Sequence, residues 1–272
     1  MRPSFLAALE AARAQGRPAL APYVTAGDGG LDDTLAVLHA LEGEGAACVE
    51  LGVPFCDPVA DGPALQAAAH RALDAGARLS NVLELVRGFR EAGGDLAIVL
   101  FSYANPLLRG GLEATLSHAA DCGVDGLIVP DAPHDLAPEF AGAARQAGIA
   151  SIPFVAPTTS PDRLAEAGRA AEGFLYAIGR TGVTGAATRL GDETLNFLER
   201  VRASTSAPLA VGFGLRTAAD VSRLAGLADL AVVGTALVQH LHERREAGAS
   251  TDQVATAAAT FLRSLRDPVT TR

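Results

Sequence analysis

The sequence predicts an α/β protein, a single (β/α)8 TIM barrel with an extra N-terminal helix that takes up residues 1–272 as one domain. Three observations predict it. Short apolar runs suited to buried strands recur along nearly the whole chain with helical stretches between them. Several of those stretches end in a glycine just before the next run, at Gly45, Gly123, Gly148 and Gly226, where a left-handed residue turns the chain into a strand. The length of 272 residues with 49% apolar content is ordinary for one barrel with a large core. A doubly wound open sheet is the competing architecture, but no GxGxxG follows the first strand.

The N-terminal MRPSFLAALEAAR opens like a signal peptide, yet Glu10 and Arg13 interrupt the apolar stretch and no cleavage-type boundary follows, which leaves an amphipathic helix. Residues 19–25 (ALAPYVT) form the first strand, AGDGG the loop after it, and residues 32–44 a helix with Leu35, Leu38 and Leu41 on one face. The unit then repeats. Strands are predicted at 48–51, 96–101, 126–129, 150–155, 174–178, 209–211 and 230–233, and helices at 64–75, 81–91, 112–121, 136–147, 161–170, 192–203 and 217–224.

Composition excludes several functions. A formal charge of −9 without any Lys/Arg-rich block argues against a surface for nucleic acid or anionic membrane. No apolar run approaches the ~20 residues needed to cross a bilayer, so a cytoplasmic protein is expected. Three Cys without a CxxC pair point to a reducing compartment, and six His without zinc-type spacing give no metal-site signal. The closest His pair, His240 and His242, is expected on an exposed helix end. All 22 basic residues are Arg. With no Lys there is no Schiff base, which excludes lysine-dependent aldolases and pyridoxal-phosphate enzymes, and no cofactor is expected. A phosphate ligand must then be held by backbone N–H groups, hydroxyls or Arg.

Chemistry concentrates in CVELGVPFCDPVADGP, residues 48–63. Cys48, Val49 and Leu51 form a dry strand around Glu50, and desolvation raises a carboxylate pKa towards neutrality, which makes Glu50 a candidate general acid or base. An edge position facing water is the competing reading. Asp57 and Asp61 follow, each beside Pro or Gly, either facing the same cleft or simply building turns. The only three tyrosines, Tyr23, Tyr103 and Tyr176, fall at or near the ends of the first, third and sixth predicted strands, where they could line one barrel mouth. Gly-rich pieces after the last three strands (GRTGVTGAA at 179–187, GFGL at 212–215, and Gly234-Thr235) suit a phosphate site of backbone N–H groups and helix N-termini.

Residues 50–63 resemble, nearly position for position, the ELG[IV]PFSDP.ADGP motif of the tryptophan synthase α subunit family, with Cys56 standing where Ser or Thr is usual. YAN at 103–105, PD.P at 130–133 and GVTGA at 182–186 extend the resemblance over nearly the whole chain. It implies a lyase that cleaves indole-3-glycerol phosphate to indole and glyceraldehyde 3-phosphate, the last stage of tryptophan biosynthesis. Glu50 would be the acid and base, and Asp61 would stabilise positive charge on the indole nitrogen. Tyr23, Tyr103, Tyr176, Thr184 and Phe213 would bind substrate, with Gly185, Gly214, Gly234 and Thr235 on the phosphate. Asp57, Pro58, Asn105 and Pro133 would meet a β subunit in an α2β2 tetramer. A stand-alone lyase releasing free indole, and a non-catalytic regulatory homologue, are the alternatives. Cys56 either fills a small slot or is a reactive thiol beside the site.

Overall fold

A computed structural model describes residues 1–132, 137–178, 192–212 and 214–266. Nine strands lie among the described residues: β1 (Ala19–Thr25), β2 (Cys48–Gly52), β3 (Ala97–Phe101), β4 (Gly126–Ile128), β5 (Ala150–Ser151), β6 (Phe154–Val155), β7 (Leu175–Ile178), β8 (Leu209–Gly212) and β9 (Leu230–Val233). Their paired neighbours all run parallel, in the order β5-β4-β3-β2-β1-β9-β8-β7-β6. One seam of the ring is the β1–β9 pairing, with Ala19 opposite Leu230.

The other seam departs from the single fifth strand expected at 150–155. Pro153 has no N–H and cannot serve a continuous ladder. The chain uses the interruption to change partners. Ahead of it, Ala150 N donates to Asp125 O and Ile152 N to Leu127 O, both at 3.0 Å on the β4 side; at the proline itself, Pro153 O accepts from Tyr176 N of β7 at 3.0 Å. β5 and β6 are thus two halves of one barrel strand, and the sheet closes into the (β/α)8 barrel.

Helices cover the outside: α1 (Pro3–Ala14), α2 (Leu31–Gly43), α3 (Pro63–Asp74), α4 (Leu79–Glu91), α5 (Ala104–Leu108), α6 (Leu112–Cys122), α7 (Ala137–Gln146), α8 (Pro161–Ala170), α9 (Asp192–Ser204), α10 (Ala218–Ser222), α11 (Thr235–Glu246) and α12 (Thr251–Ser264). All four glycines expected to turn helices into strands do so at positive φ, Gly123 at 96° and Gly148 at 78° among them. No described helix is long and apolar enough to cross a membrane. His240 lies inside α11 rather than on an exposed end, half-buried against Phe261 of α12 at 5.3 Å, and this burial lowers its pKa.

Side-chain alternation divides the core in two. Leu20, Val24, Val49, Leu51, Ile98 and Leu100 point outward into the layer beneath the helices. Ala19, Ala21, Cys48, Ala97 and Ala210 point into the barrel with Val99 and Ile128, and the small size of the first five leaves room for a plug at the bottom. α1 supplies it. Phe5, fully buried, meets Phe174 with ring centroids 6.0 Å apart, and Met1, Ala8 and Leu9 pack around it.

At the opposite end, a buried ionic network ties the first and last units together. Asp28, in the AGDGG loop after β1, accepts two hydrogen bonds from Arg71 of α3, both 2.8 Å, and lies 3.5 Å from Arg245 of α11. Arg245 also donates to Asp33 of α2 at 3.0 Å, and Asp33 accepts a further bond from Thr251 of α12. Removing one member of such a group strands a buried charge. Asp28→Ala is therefore expected to lower unfolding free energy by about 3 kcal/mol in urea titrations; a loss within about 0.5 kcal/mol, the range of an ordinary surface change, would show that the network is dispensable.

Candidate active site

Glu50 enters the site by strand parity. β2 turns Cys48 into the barrel interior, so Glu50, two residues on, also points inward and nearer the mouth, while Val49 and Leu51 pack outward. β1 and β3 flank it on either side, with Tyr23 and Val99 as its register partners, so this is not an edge strand. Glu50 is 1% exposed, and its Oε1 has no hydrogen-bond partner among the described residues. Burial alone pushes its carboxyl well above the usual range. A buried polar atom without a partner is uncommon in a folded protein and marks a place where a ligand supplies the missing group.

Asp61 reaches the same mouth from the loop between β2 and α3. The loop turns where Asp61 N donates to Pro58 O at 3.0 Å, and Gln66 of α3 holds the Asp61 carbonyl at 2.9 Å. Tyr103, just past β3, bridges to it: the hydroxyl receives a bond from Ala60 N and donates one to Asp61 Oδ2, each 3.0 Å. Phe55 stacks on the Tyr103 ring at 5.3 Å. Desolvation pushes the Asp61 carboxyl up to about 6, with the Tyr103 hydrogen bond pulling the other way.

Tyr23 and Tyr176 complete a ring of hydroxyls. Both are held neutral by burial first and then by nearby carboxylates, Asp61 for Tyr23 and Glu50 for Tyr176. Two glycines make room for them. A Cβ on Gly52 would lie 2.1 Å from the Tyr23 hydroxyl oxygen, and one on Gly212 would lie 2.4 Å from that of Tyr176. The rings pack edge-on against Phe101 at 5.6 Å and tilted against Phe154 at 5.1 Å. Glu50, Asp61 and the three tyrosines therefore share one mouth.

Other expected positions divide between this face and the undescribed residues. Gly214 follows β8 with φ 67°; Gly234 caps α11 directly after β9, and Thr235 begins that helix, whose first N–H groups have no partner within it. Thr184, Gly185, Phe213 and Pro133 lie outside the described residues. Asp57 and Asn105 are exposed around the mouth, so Asp57 does not join the two buried carboxyls; Pro58 is buried, and its neighbour Val59 is 61% exposed. Two contributors were not expected. Thr25, at the end of β1, buries an Oγ1 without a partner, and Asp131 accepts from Ala104 N at 2.9 Å, joining the loops after β4 and β3. Thr25 carried a signal, a hydroxyl closing an otherwise apolar strand; Asp131 lay inside a recognised motif without a role of its own.

A family model described as tryptophan synthase alpha chain matches residues 9–267. The chain belongs to that family. A tryptophan synthase alpha chain of Azoarcus sp. is 39% identical over 259 residues, covering 95% of this chain and 94% of the relative. That of Gluconacetobacter diazotrophicus is 46% identical over 237 residues, covering 87% and 86%. Among solved structures, tryptophan synthase subunit alpha from Legionella pneumophila superposes with a TM-score of 0.86 at 32% identity, covering 98% of this chain and 97% of that one. A chain of Mycobacterium tuberculosis tryptophan synthase gives 0.83 at 33% identity, covering 97% and 98%.

The raised carboxyl of Asp61 makes stability depend on pH. Between pH 3.8 and about 6 the folded chain keeps a proton that the unfolded chain has released. Stability attributable to this group therefore falls as pH rises through that window and stays reduced above it. Asp61→Asn is expected to be more stable than the parent at pH 8 by on the order of 2 kcal/mol, read as a higher unfolding temperature, with the gap closing near pH 4. Equal thermal midpoints at pH 8 in scanning calorimetry would show that ionised Asp61 is not strained.

Proposed function

We propose that this chain cleaves indole-3-glycerol phosphate to indole and glyceraldehyde 3-phosphate, with Glu50 moving the protons and Asp61 holding the developing charge. The observation that carries the reading is the buried Glu50 carboxyl at the barrel mouth, whose Oε1 has no hydrogen-bond partner among the described residues, beside the Asp61–Tyr103 pair. The family's reaction is this retro-aldol cleavage, and its carbon–carbon bond breaks only if an electron sink is present. With no Lys in the chain, no Schiff base supplies one. The substrate provides its own: protonation at indole C3 makes an indoleninium ion that accepts the electron pair of the breaking bond.

The two carboxyls suit opposite tasks because their environments differ. Burial pushes the Glu50 carboxyl well above the usual range, which favours its protonated form and suits it to give a proton to C3. The carboxylate left behind takes the proton of the glycerol hydroxyl as that oxygen becomes the aldehyde, so Glu50 ends as it began. Asp61, at about 6, is ionised at neutral pH and stabilises the positive charge on the indole N–H. In this reading Tyr23, Tyr103 and Tyr176 line the pocket and Gly214, Gly234 and Thr235 take the phosphate through backbone N–H groups; Phe213, Gly185 and Thr184, outside the described residues, would join the pocket, join the phosphate site and orient Asp61 in turn.

A β subunit is the partner in this reading, docking on the mouth face through Asp57, Pro58, Asn105 and Pro133 in an α2β2 tetramer. Exposed apolar side chains at Val59 and Leu108, 61% and 45% exposed, support a docking surface there. Docking would order the loop that carries Asp61, so the partner completes the catalytic geometry without contributing a residue. A cytoplasmic location and a single domain over residues 1–272 go with this reading.

Glu50→Gln keeps the shape and removes the proton, so indole production should fall at least ~100-fold while a glycerol phosphate ligand still binds. Near-normal turnover by that variant would overturn the assignment. A β subunit should raise indole release by at least about tenfold, a coupling of roughly 1.4 kcal/mol. Leu108→Asp should lose most of that activation and keep the basal rate. Fast release by the chain alone, without response to a β subunit, identifies a stand-alone lyase; a complex with no cleavage identifies a regulatory homologue.

A further inference from the structure

On the outer wall of the barrel, away from the mouth, α4 and α6 pack side by side and bring together three side chains that the chemistry above does not use. His118 and Cys122 are one helical turn apart on α6 and share a face. Glu84 of α4 stands across from them. His118 Nε2 is 3.6 Å from Glu84 Oε1 and 3.8 Å from Cys122 Sγ, and the donor atoms of all three lie within 4.8 Å of one another.

These separations are close to what a metal ion requires. With bonds of about 2.3 Å to sulfur and about 2.0 Å to nitrogen and oxygen, a tetrahedral ion holds an S···N pair about 3.6 Å apart and an N···O pair about 3.3 Å apart. Two edges of the triangle thus need only a few tenths of an ångström. The sulfur to carboxylate edge closes by rotation of Glu84, whose side chain is 55% exposed, and His118, 45% exposed, leaves the site open to entry from solvent. The buried Cys122 sulfur forms its floor.

The trio already attracts a positive group. Arg87 donates from Nη2 to Cys122 Sγ at 3.2 Å and places Nη1 3.5 Å from Glu84 Oε2. Its side chain is 39% exposed and free to swing outward. We infer that Glu84, His118 and Cys122 bind one borderline divalent cation of the Zn2+ class, with a fourth position for water and with Arg87 as the group it displaces. Binding releases the Cys122 thiol proton to solvent, forms the metal–sulfur bond and links α4 to α6.

Cobalt(II), a spectroscopic stand-in for zinc, tests this on the reduced full-length chain at neutral pH. The expected result is one cobalt per chain with a thiolate-to-metal charge-transfer band, abolished when Zn2+ displaces it. His118→Ala and Cys122→Ser should each weaken binding at least tenfold, Cys56→Ser should leave it unchanged, and Arg87→Gln should tighten it. Because Cys122 is buried, His118→Ala decides the matter if Cys122→Ser does not fold. No thiolate band in the parent protein, or a band that survives His118→Ala and disappears in Cys56→Ser, overturns the site.

Discussion

The site rests on a carboxyl that the barrel forces out of water. Glu50 cannot turn away: β2 is hydrogen-bonded on both sides, and its alternation puts Val49 and Leu51 beneath the helices only if Glu50 faces the interior. A one-residue slip would exchange these faces and bury the charge in the outer core, so the packing of two aliphatic side chains fixes the direction of the acid. Asp61 is placed differently, by a turn, a glutamine and a tyrosine hydroxyl, and stays closer to ordinary acidity. Two carboxyls within one mouth are therefore shifted upward to different extents, Glu50 by full burial and Asp61 against the pull of the Tyr103 hydrogen bond.

What keeps the mouth in shape is closure of the ring. At one seam, Pro153 breaks the fifth strand and passes the chain from β4 to β7; at the other, β9 pairs with β1 while Asp28, Arg71 and Arg245 bind the helices above it. The seams and the plug of Phe5 and Phe174 close the barrel, and the carboxyls are left in an environment that destabilises their ionised forms.

Local pattern carried much of this. The strands at 19–25 and 230–233 and the helix at 161–170 have the expected bounds, because their apolar periodicity and flanking breakers are unambiguous. The fifth strand reads as continuous since Pro153 lies between two apolar pairs, and only the ring shows that they face different neighbours. α12 lies beyond the helices expected from the sequence, although Ser250 and Gln253 form a capping box and Val254, Ala258 and Leu262 repeat at helical spacing. Glu50 and Asp61 stand out in the chain by composition and motif, but the Tyr103 bridge joins residues 42 apart and follows from the fold alone. The Glu84, His118 and Cys122 cluster is hidden for the same reason: two of its members share one turn of α6, and the third belongs to another helix.

Tyr176 and Gly212 share one volume. The hydroxyl of the first stands where a Cβ of the second would be, at 2.4 Å, and the nearest ring carbon is farther off at 3.0 Å. Divergence at these two positions is therefore directional. A change of Tyr176 to Phe removes the closest atom and leaves ring carbons at 3.0 and 3.1 Å, so alanine at 212 then needs a shift of only a few tenths of an ångström, whereas alanine arriving first meets the hydroxyl oxygen at 2.4 Å. The two sites form an epistatic pair with an allowed order of events, and a lineage that has lost the hydroxyl and filled the gap cannot regain it by a single substitution.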